Sequence, residues 1–318
     1  MQFATASGLL VGILSTVLAV ASADAKNCGG DVACECGDTL RGVAVLTGDL
    51  RSCADDGLRL KNDALLDCAG HELSGSRNGE GVLLDGAVGA TVLNCRIAGF
   101  KTGVRIRGGR DNLVSGNEIT GNRRYGVELA KATTGNQLQS NRIVGSGDEG
   151  VHIGSNAHGT VVVGNEIEDS KRENLYVLSA DGGVFTANFL SGSGDAAIYV
   201  KHSSGNVFAA NEVRGHIVHV RGHSIANRFE DTHMQGGRFV FEAYKDKHPA
   251  GVKGWTRPAD NEVVGGAVLD TKTCFQFKGA SDNQASGVAE NGCRAKKQSK
   301  KGGQKAKRNA VSLVESPT

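Results

Sequence analysis

The chain has 318 residues, of which 39% are hydrophobic and 22% charged, and its formal net charge is +2. This composition supports a buried core and excludes a globally disordered chain. There are 46 glycines but only 3 prolines, and no Gly-X-Y triplet recurs, so a collagen is also excluded. Frequent glycine with scarce proline is typical of short strands joined by tight corners.

The first 25 residues predict a cleaved export signal. Leu9 to Val20 form an apolar run of twelve residues, followed by the small-residue triplet Ala21-Ser22-Ala23. Such a triplet suits cleavage by a signal peptidase. The run is too short to span a bilayer as a helix, and no later segment is long and apolar enough to do so. We therefore expect a secreted or periplasmic protein; the alternative is a buried N-terminal strand or helix.

The middle of the chain repeats an asparagine-led segment every 23 or 24 residues. The copies NCRIAGF, NEITGNR, NRIVGSG, NEIEDSK, NFLSGSG and NEVRGHI begin at Asn94, Asn117, Asn141, Asn165, Asn188 and Asn211, and two irregularly spaced copies begin at Asn227 and Asn261. Each unit contains three short runs that alternate inward and outward with period two, which predicts strands. Three strands and three corners per unit predict one coil of a β-solenoid. A helical repeat is disfavoured because glycine recurs at the corners and the apolar period is two.

The segments GNEITGNRRYGVEL and SNRIVGSGDEGVHI resemble the right-handed parallel β-helix repeat. That family includes pectate-lyase-like enzymes, carbohydrate-binding and sugar-hydrolase repeat proteins, and periplasmic copper-delivery proteins of nitrous-oxide reductase assembly. The resemblance covers about residues 40–290 and implies an all-β, single-stranded right-handed parallel β-helix. It also implies that the six regularly spaced asparagines, including Asn94, form an internal structural ladder.

These patterns divide the chain into a signal peptide (1–25), a disulfide-rich N-terminal cap (26–56), the β-helix (57–293) and a basic tail (294–318). The tail holds eight Lys and Arg residues against one acidic residue, Glu315, a net charge of +7. Because it lacks an apolar period, we expect it to be disordered. It either contacts an anionic surface or only keeps the protein soluble. Nothing predicts a specific nucleic-acid partner.

All eight cysteines lie after the export signal and cluster near the two ends of the remaining chain, which indicates disulfides in an exported protein. Cys68 and Cys95 occupy the same place in successive coils, so we expect them to pair, with both side chains pointing outward. Cys274 and Cys293 are expected to close the far end. The order of pairing stays open for the four N-terminal cysteines, Cys28, Cys34, Cys36 and Cys53.

The strand after the glycine corner presents a candidate site. Its inward positions are apolar in every unit. One outward column reads Arg105, Glu128, His152, Tyr176, Tyr199 and His219, and a second contains Arg107, Gly154, Lys201, Arg221 and Glu242. Aromatic faces stack on sugar rings, while Lys, Arg and His hold carboxylates or move protons. The alternative is a solvated sheet face whose tyrosines only pack across strands.

We favour a protein that binds an acidic polysaccharide or cell-surface glycan. If it is an enzyme, it catalyses β-elimination or epimerisation of that polymer, and no cofactor is expected. Lys201 or His219 is then the base, Arg221 or Arg105 the partner of the substrate carboxylate, and Tyr199 the acid. The remaining substrate-binding candidates are His152, Tyr176 and Glu242. A glycosidase is disfavoured because Glu128 and Glu242, the only carboxylates assigned to this face, lie several coils apart.

Two other functions stay open. His202, His219 and His223 are candidate ligands of copper or zinc near one strand end, and a non-catalytic surface or adhesion protein is the third reading. The Asp-Pro-His-Asp signature of mannuronan epimerases and the Gly-His-Gly of polygalacturonases are both absent. An insertion at 245–260 interrupts the repeat, and it either walls one end of the groove or is an irregular loop.

Overall fold

The computed structural model describes residues 26–246, 254–298 and 309–315, and in these ranges every regular element is a β-strand. The expected signal peptide and residues 247–253 of the insertion lie outside the described residues. The strands wind into about 11 coils of about 23 residues each. The predicted right-handed parallel β-helix is therefore confirmed.

Each regular coil gives one strand to each of three parallel sheets, called A, B and C in the order in which the chain visits them. Sheet A contains β1 (Asn27–Cys28), β2 (Thr39–Leu40), β5 (Leu58–Leu60), β8 (Glu80–Asp85), β11 (Thr102–Arg107), β14 (Tyr125–Ala130), β17 (Val151–Ile153), β20 (Glu173–Leu178), β23 (Ala196–Lys201), β26 (Ile217–Arg221), β29 (Arg238–Glu242), β34 (Thr273–Lys278) and β36 (Arg294–Gln298). Sheet B contains β3 (Val43–Val45), β6 (Leu65–Asp67), β9 (Thr91–Leu93), β12 (Leu113–Ser115), β15 (Gln137–Gln139), β18 (Val161–Val163), β21 (Val184–Thr186), β24 (Val207–Ala209), β27 (Arg228–Glu230), β32 (Glu262–Val264), β35 (Gln284–Glu290) and β37 (Ala310–Glu315).

Sheet C contains β4 (Leu50–Cys53), β7 (Glu72–Gly75), β10 (Arg96–Ala98), β13 (Glu118–Thr120), β16 (Arg142–Val144), β19 (Glu166–Glu168), β22 (Phe189–Ser191), β25 (Glu212–Arg214), β28 (His233–Gln235) and β33 (Ala267–Leu269). It joins sheet B at β35, which pairs with both β32 and β33. The insertion after β29 supplies a separate antiparallel pair, β30 (Tyr244–Asp246) and β31 (Gly254–Thr256).

The core consists of in-register columns of apolar side chains inside the solenoid. In sheet A the column that contains Val104 and Val127 continues through the register pairs to Phe239 and Phe275. In sheet B, Phe185 stacks on Phe208, and Phe208 on Phe229. These side chains are at most 1% exposed, and burying each one stabilises the fold by roughly 1.5–3 kcal/mol.

A ladder of buried asparagines runs through the corner between sheets B and C. Asn141 is typical: its Nδ2 donates to Asn165 Oδ1 and to the Val114 carbonyl, both at 2.9 Å, and its Oδ1 accepts from Asn117 Nδ2 at 2.9 Å. The ladder continues through Asn188 to Asn211. It satisfies buried backbone groups that the tight corner leaves without strand partners.

Asn94 does not belong to this ladder, contrary to the sequence expectation. Because Arg96 stands opposite Glu118 in the register, Cys95 rather than Asn94 stands opposite Asn117. Asn94 is exposed and holds a left-handed backbone conformation with φ of 52°. Ala187 and Ala210 take this conformation one residue before the ladder asparagines of later coils.

A second asparagine ladder occupies the corner between sheets A and B. One segment links Asn112 to Asn136, and another runs through Asn206, Asn227, Asn261, Asn283 and Asn309. The two copies of the repeat whose spacing looked irregular, Asn227 and Asn261, therefore belong to a different corner. The sequence pattern alone did not separate the two corners because both begin with Asn before a strand.

Four disulfides join all eight cysteines as Cys28–Cys34, Cys36–Cys53, Cys68–Cys95 and Cys274–Cys293. The Cα atoms of Cys68 and Cys95 are 4.7 Å apart, as stacked coils require. Their side chains point inward rather than outward, since Cys68 is 0% and Cys95 1% exposed. The backbone N of Cys95 donates to Asn117 Oδ1 at 2.9 Å, so this disulfide closes one end of the first ladder.

The segment expected to be a disordered tail supplies two further strands. β36 extends sheet A beside β34, and β37 extends sheet B beside β35. Between them, the Asn309 side chain accepts from Asn283 and ends the second ladder. Residues 299–308, which hold most of the basic charge, lie outside the described residues. Alternation within Ala310–Glu315 is the sequence signal for the last strand.

We expect Asn141→Ala to destabilise the protein by about 3–5 kcal/mol. The side chains of Asn117 and Asn165 and the carbonyl of Val114 are buried, and each loses a hydrogen-bond partner in this variant. Urea unfolding followed by circular dichroism measures the change. Asn94→Ala is the matched control and should cost less than about 1 kcal/mol, since alanine already occupies the equivalent place in two coils. Equal losses for the two variants would contradict the ladder's structural role.

Candidate functional site

The outer face of sheet A carries the two polar columns in the expected register. Tyr176 stands opposite Tyr199, and Tyr199 opposite His219. Lys201 stands opposite Arg221 in the next column. A cavity of about 360 Å³ opens here, lined by Arg172, Glu173, Tyr176, Asp195, Ala196, Tyr199, Lys201, His219 and Arg221. We refer to this cavity as the sheet A groove.

The aromatic side chains of this face stack on one another. Ring centroids are 4.6 Å apart from Tyr125 to His152, and 5.2 Å apart from His152 to Tyr176 and from Tyr176 to Tyr199. Because Tyr176 has a ring on each side, its faces are not open to a sugar. These rings therefore pack across strands, as in the alternative interpretation of the sequence. Only their edges and hydroxyl groups are available to a ligand in the groove.

Burial keeps the tyrosine hydroxyls protonated. It raises the pKa of Tyr176 well above its usual range, and the nearby Tyr199 and Glu173 add to this effect. Burial also raises the pKa of Tyr199, against the opposing effect of a hydrogen bond in which Arg221 Nη1 donates to Tyr199 Oη at 3.1 Å. At neutral pH both hydroxyls are proton donors rather than phenolates.

Two cations stand at the far side of the sheet A groove, and both lie against Tyr244 at the start of β30. Lys201 Nζ is 4.4 Å and Arg221 Cζ 4.3 Å from the centroid of the Tyr244 ring. In the described ranges neither cation has a carboxylate within ion-pair distance. The residue just before the insertion thus packs on the cationic side of the groove.

His219 is held by Glu242. His219 Nε2 and Glu242 Oε2 are 2.9 Å apart, and the side chains are only 14% and 7% exposed. Glu242 is not among the residues that line the groove, because its carboxylate pairs with His219 in the adjacent strand. Its expected role as a substrate-binding residue stays a prediction. The pair fixes the orientation of the imidazole.

Two carboxylates on this face were missed by the sequence analysis. Glu149 lies two residues before β17, and Glu173 is the first residue of β20. Both residues are 3% exposed. Arg172 lies 3.3 Å from Glu149, 3.7 Å from Glu173 and 3.5 Å from Asp195. The sequence does contain a signal for these carboxylates: a glutamate recurs three residues before the outward strand position, as at Glu80. This position lies outside the alternating strand pattern that the sequence analysis used.

The environments of these two carboxyls shift their pKa values in opposite directions. Burial raises the pKa of Glu173 to about 7, reinforced by Glu149 and Asp195 and opposed by Arg172. Burial acts in the same sense on Glu149, but the nearby His152 and the charge of Arg172 outweigh it and lower that pKa. The sheet A face thus carries Glu149 and Glu173 in addition to Glu128 and Glu242, and the expectation that the latter two are its only carboxylates is wrong.

Arg105 lies outside the sheet A groove, so its assignment as an alternative partner of the substrate carboxylate is not supported. It belongs to β11, four coils before Tyr199, a separation of roughly 19 Å. Its Nη1 lies 2.9 Å from Glu80 and its Nε 2.9 Å from Glu128. His152 also does not line the groove; its Nδ1 lies 3.8 Å from Glu149.

A model of the family described as "Periplasmic copper-binding protein (NosD)" matches residues 42–245. The chain belongs to this family. No curated protein matches the sequence of this NosD-family member significantly. None of the residues that the structure describes forms a helix long and apolar enough to cross a membrane.

Solved structures share the fold of the NosD-family chain at low identity. A point mutant of the periplasmic alginate epimerase AlgG gives a TM-score of 0.58 at 13% identity, covering 87% of this chain and 77% of that one. The mannuronan C-5 epimerase AlgE6 A-module of Azotobacter vinelandii gives 0.55 at 13% identity, with 92% and 88% covered. The Agl-KA catalytic domain gives 0.56 at 12% identity, with 91% and 58% covered. These likenesses show the fold alone.

The described residues of this NosD-family protein do not fit a copper site. Copper is bound by thiolate, thioether and imidazole groups, but every cysteine is in a disulfide and Met234 is only 1% exposed. His202 Nδ1 accepts from the His223 backbone, and His219 is held by Glu242. Within the described ranges, the one trio of possible ligands close enough to share an ion is Cys274, Glu290 and Cys293, whose cysteines are bonded to each other.

We expect Glu173→Gln to stabilise the protein at pH 8 but hardly at pH 5. A carboxyl whose folded pKa is raised from 4.5 to about 7 makes the fold lose stability as the pH rises between these values. The glutamine variant lacks that loss, which amounts to at most about 3 kcal/mol. Urea midpoints at both pH values measure it, with the exposed Glu118→Gln as control. A variant less stable than the parent at pH 8 would contradict the assignment.

Proposed function

We propose that the protein binds an acidic, uronate-containing polysaccharide in the sheet A groove. The observation that carries this proposal is the pair Lys201 and Arg221, which face the cavity without a carboxylate partner in the described ranges. Beside them stand two protonated tyrosine hydroxyls, which donate hydrogen bonds. Cations and donors that converge on an open cavity fit a ligand that carries carboxylates and many oxygen acceptors.

The same groups supply the chemistry of β-elimination or epimerisation at C5 of a uronate. Lys201 and Arg221 stabilise the charge that develops on the carboxylate when the C5 proton leaves. His219 takes that proton, and its hydrogen bond with Glu242 holds the imidazole in place for this step. In elimination the C4–O bond breaks, Tyr199 protonates the departing oxygen, and a C4=C5 double bond forms.

Four disulfides and membership of a family described as periplasmic support a location in the periplasm or outside the cell. Polysaccharides of cell surfaces are present in these compartments. Copper delivery receives no support from the ligands in the described ranges. A non-catalytic polysaccharide-binding protein is the outcome in which binding is found without turnover.

Arg221→Gln should weaken binding of oligouronates about 10- to 100-fold, because a charge-assisted hydrogen bond is lost from a partly buried site. Isothermal titration calorimetry with an oligouronate and with a neutral oligosaccharide of equal length measures the difference. Arg142→Gln is the matched control, since Arg142 pairs with Glu166 and Glu168 on sheet C. Equal affinity of both variants for the oligouronate would place the site elsewhere.

Tyr199→Phe should abolish elimination while changing oligouronate affinity less than tenfold. Phenylalanine keeps the ring stack but lacks the proton that the departing oxygen needs, and this isolates chemistry from packing. Ultraviolet absorbance of unsaturated products from a panel of uronate polymers measures turnover, and proton exchange at C5 detects epimerisation. If the parent protein forms no such products and exchanges no C5 protons, the site binds without catalysis; turnover that survives in the variant would exclude Tyr199 as the acid.

A further inference from the structure

We propose that Glu173 binds the ligand as a neutral carboxylic acid, donating its proton in a hydrogen bond to a uronate carboxylate. This inference deepens the proposed function and rests on it. It assigns the sheet A groove a recognition group that discriminates acidic sugars by proton donation, in addition to the two cations.

The position of Glu173 supports this role. Its side chain is 5% exposed and contributes to the wall of the groove. In the next coil it stands opposite Ala196, whose methyl group offers no hydrogen bond. Its Oε2 is buried without a hydrogen-bond partner among the described residues. Arg172, the closest cation, lies 3.7 Å away and is shared with Glu149 and Asp195.

Burial is the main reason why Glu173 favours its neutral form, and Arg172 opposes it. Titratable or charged groups face it from the preceding coil, its own strand, the next coil and the rest of the groove; they are Glu149, His152, Arg172, Tyr176, Asp195, Tyr199, Lys201, His219 and Arg221. Stacked coils set Glu149 and Glu173 side by side, so two full negative charges there would repel each other. Burial and this repulsion raise the Glu173 pKa to about 7.

The protonation state decides what the groove accepts. An ionised Glu173 would repel a uronate, whereas the neutral carboxyl has a proton to donate and no net charge. A bound carboxylate adds a further negative charge beside Glu173 and raises its pKa again. Binding above pH 7 therefore takes up a proton from solvent, and the affinity falls as the pH rises.

Calorimetry with an oligouronate between pH 6 and 9, in buffers of different ionisation enthalpy, tests the proposal on the full protein. For the parent protein we expect affinity to fall up to tenfold per pH unit above pH 7, with proton uptake approaching one per ligand. Glu173→Gln keeps a donor at every pH, so its affinity should stay nearly constant and its proton uptake should be near zero. Glu168→Gln, on sheet C beside Arg142, should retain the parental profile.

Three results would overturn the inference. A pH profile unchanged in Glu173→Gln would assign the titration to another group, such as His219. Loss of binding by this variant at every pH would mean that an ionised carboxylate is required. If the parent protein binds no uronate at any pH while remaining folded, the proposed function fails together with the inference; in the first two cases the proposed function stands.

Discussion

The in-register hydrogen bonding of successive coils is the constraint on which the rest of the structure depends. Every coil repeats the position of its neighbour about 4.8 Å along the axis, so each position of the repeat becomes a column of like side chains. Columns of valine, leucine and phenylalanine form the core. Columns of asparagine satisfy the corners, and one inward disulfide, Cys68–Cys95, closes the first of them.

The same constraint shapes the candidate site. Stacking sets Tyr176 against its neighbours, which covers the ring faces and leaves edges and hydroxyl groups for a ligand. It also sets Glu149 beside Glu173, so that burial and mutual repulsion hold one proton on the pair. Lys201 and Arg221 stack in the next column and share the Tyr244 ring. A repetitive fold thus concentrates like groups, and their mutual influence changes what each one does.

The family of this protein is described as copper-binding, whereas the chemistry of the sheet A groove fits an acidic polysaccharide. The NosD family model covers the coils that contain the groove, yet all cysteines are in disulfides, and the imidazoles of His202 and His219 already make hydrogen bonds. The fold requires only the columns and the corners, and it leaves the outward positions of sheet A free to vary. A shared β-helix therefore does not transfer a ligand from one member to another.

The sequence by itself determined the β-helix, its coil length and the inward columns, because period-two alternation and corner glycines act within a few residues. It also determined the Cys68–Cys95 pair, since a fixed coil length brings those backbones together. Only the tertiary structure decided that Asn94 lies outside the ladder and that both cysteines point inward, because a shift of one residue at a corner reverses the direction of a side chain. The partners of Arg105, Glu242 and Glu173 likewise follow from contacts between coils, which no local pattern of residues records.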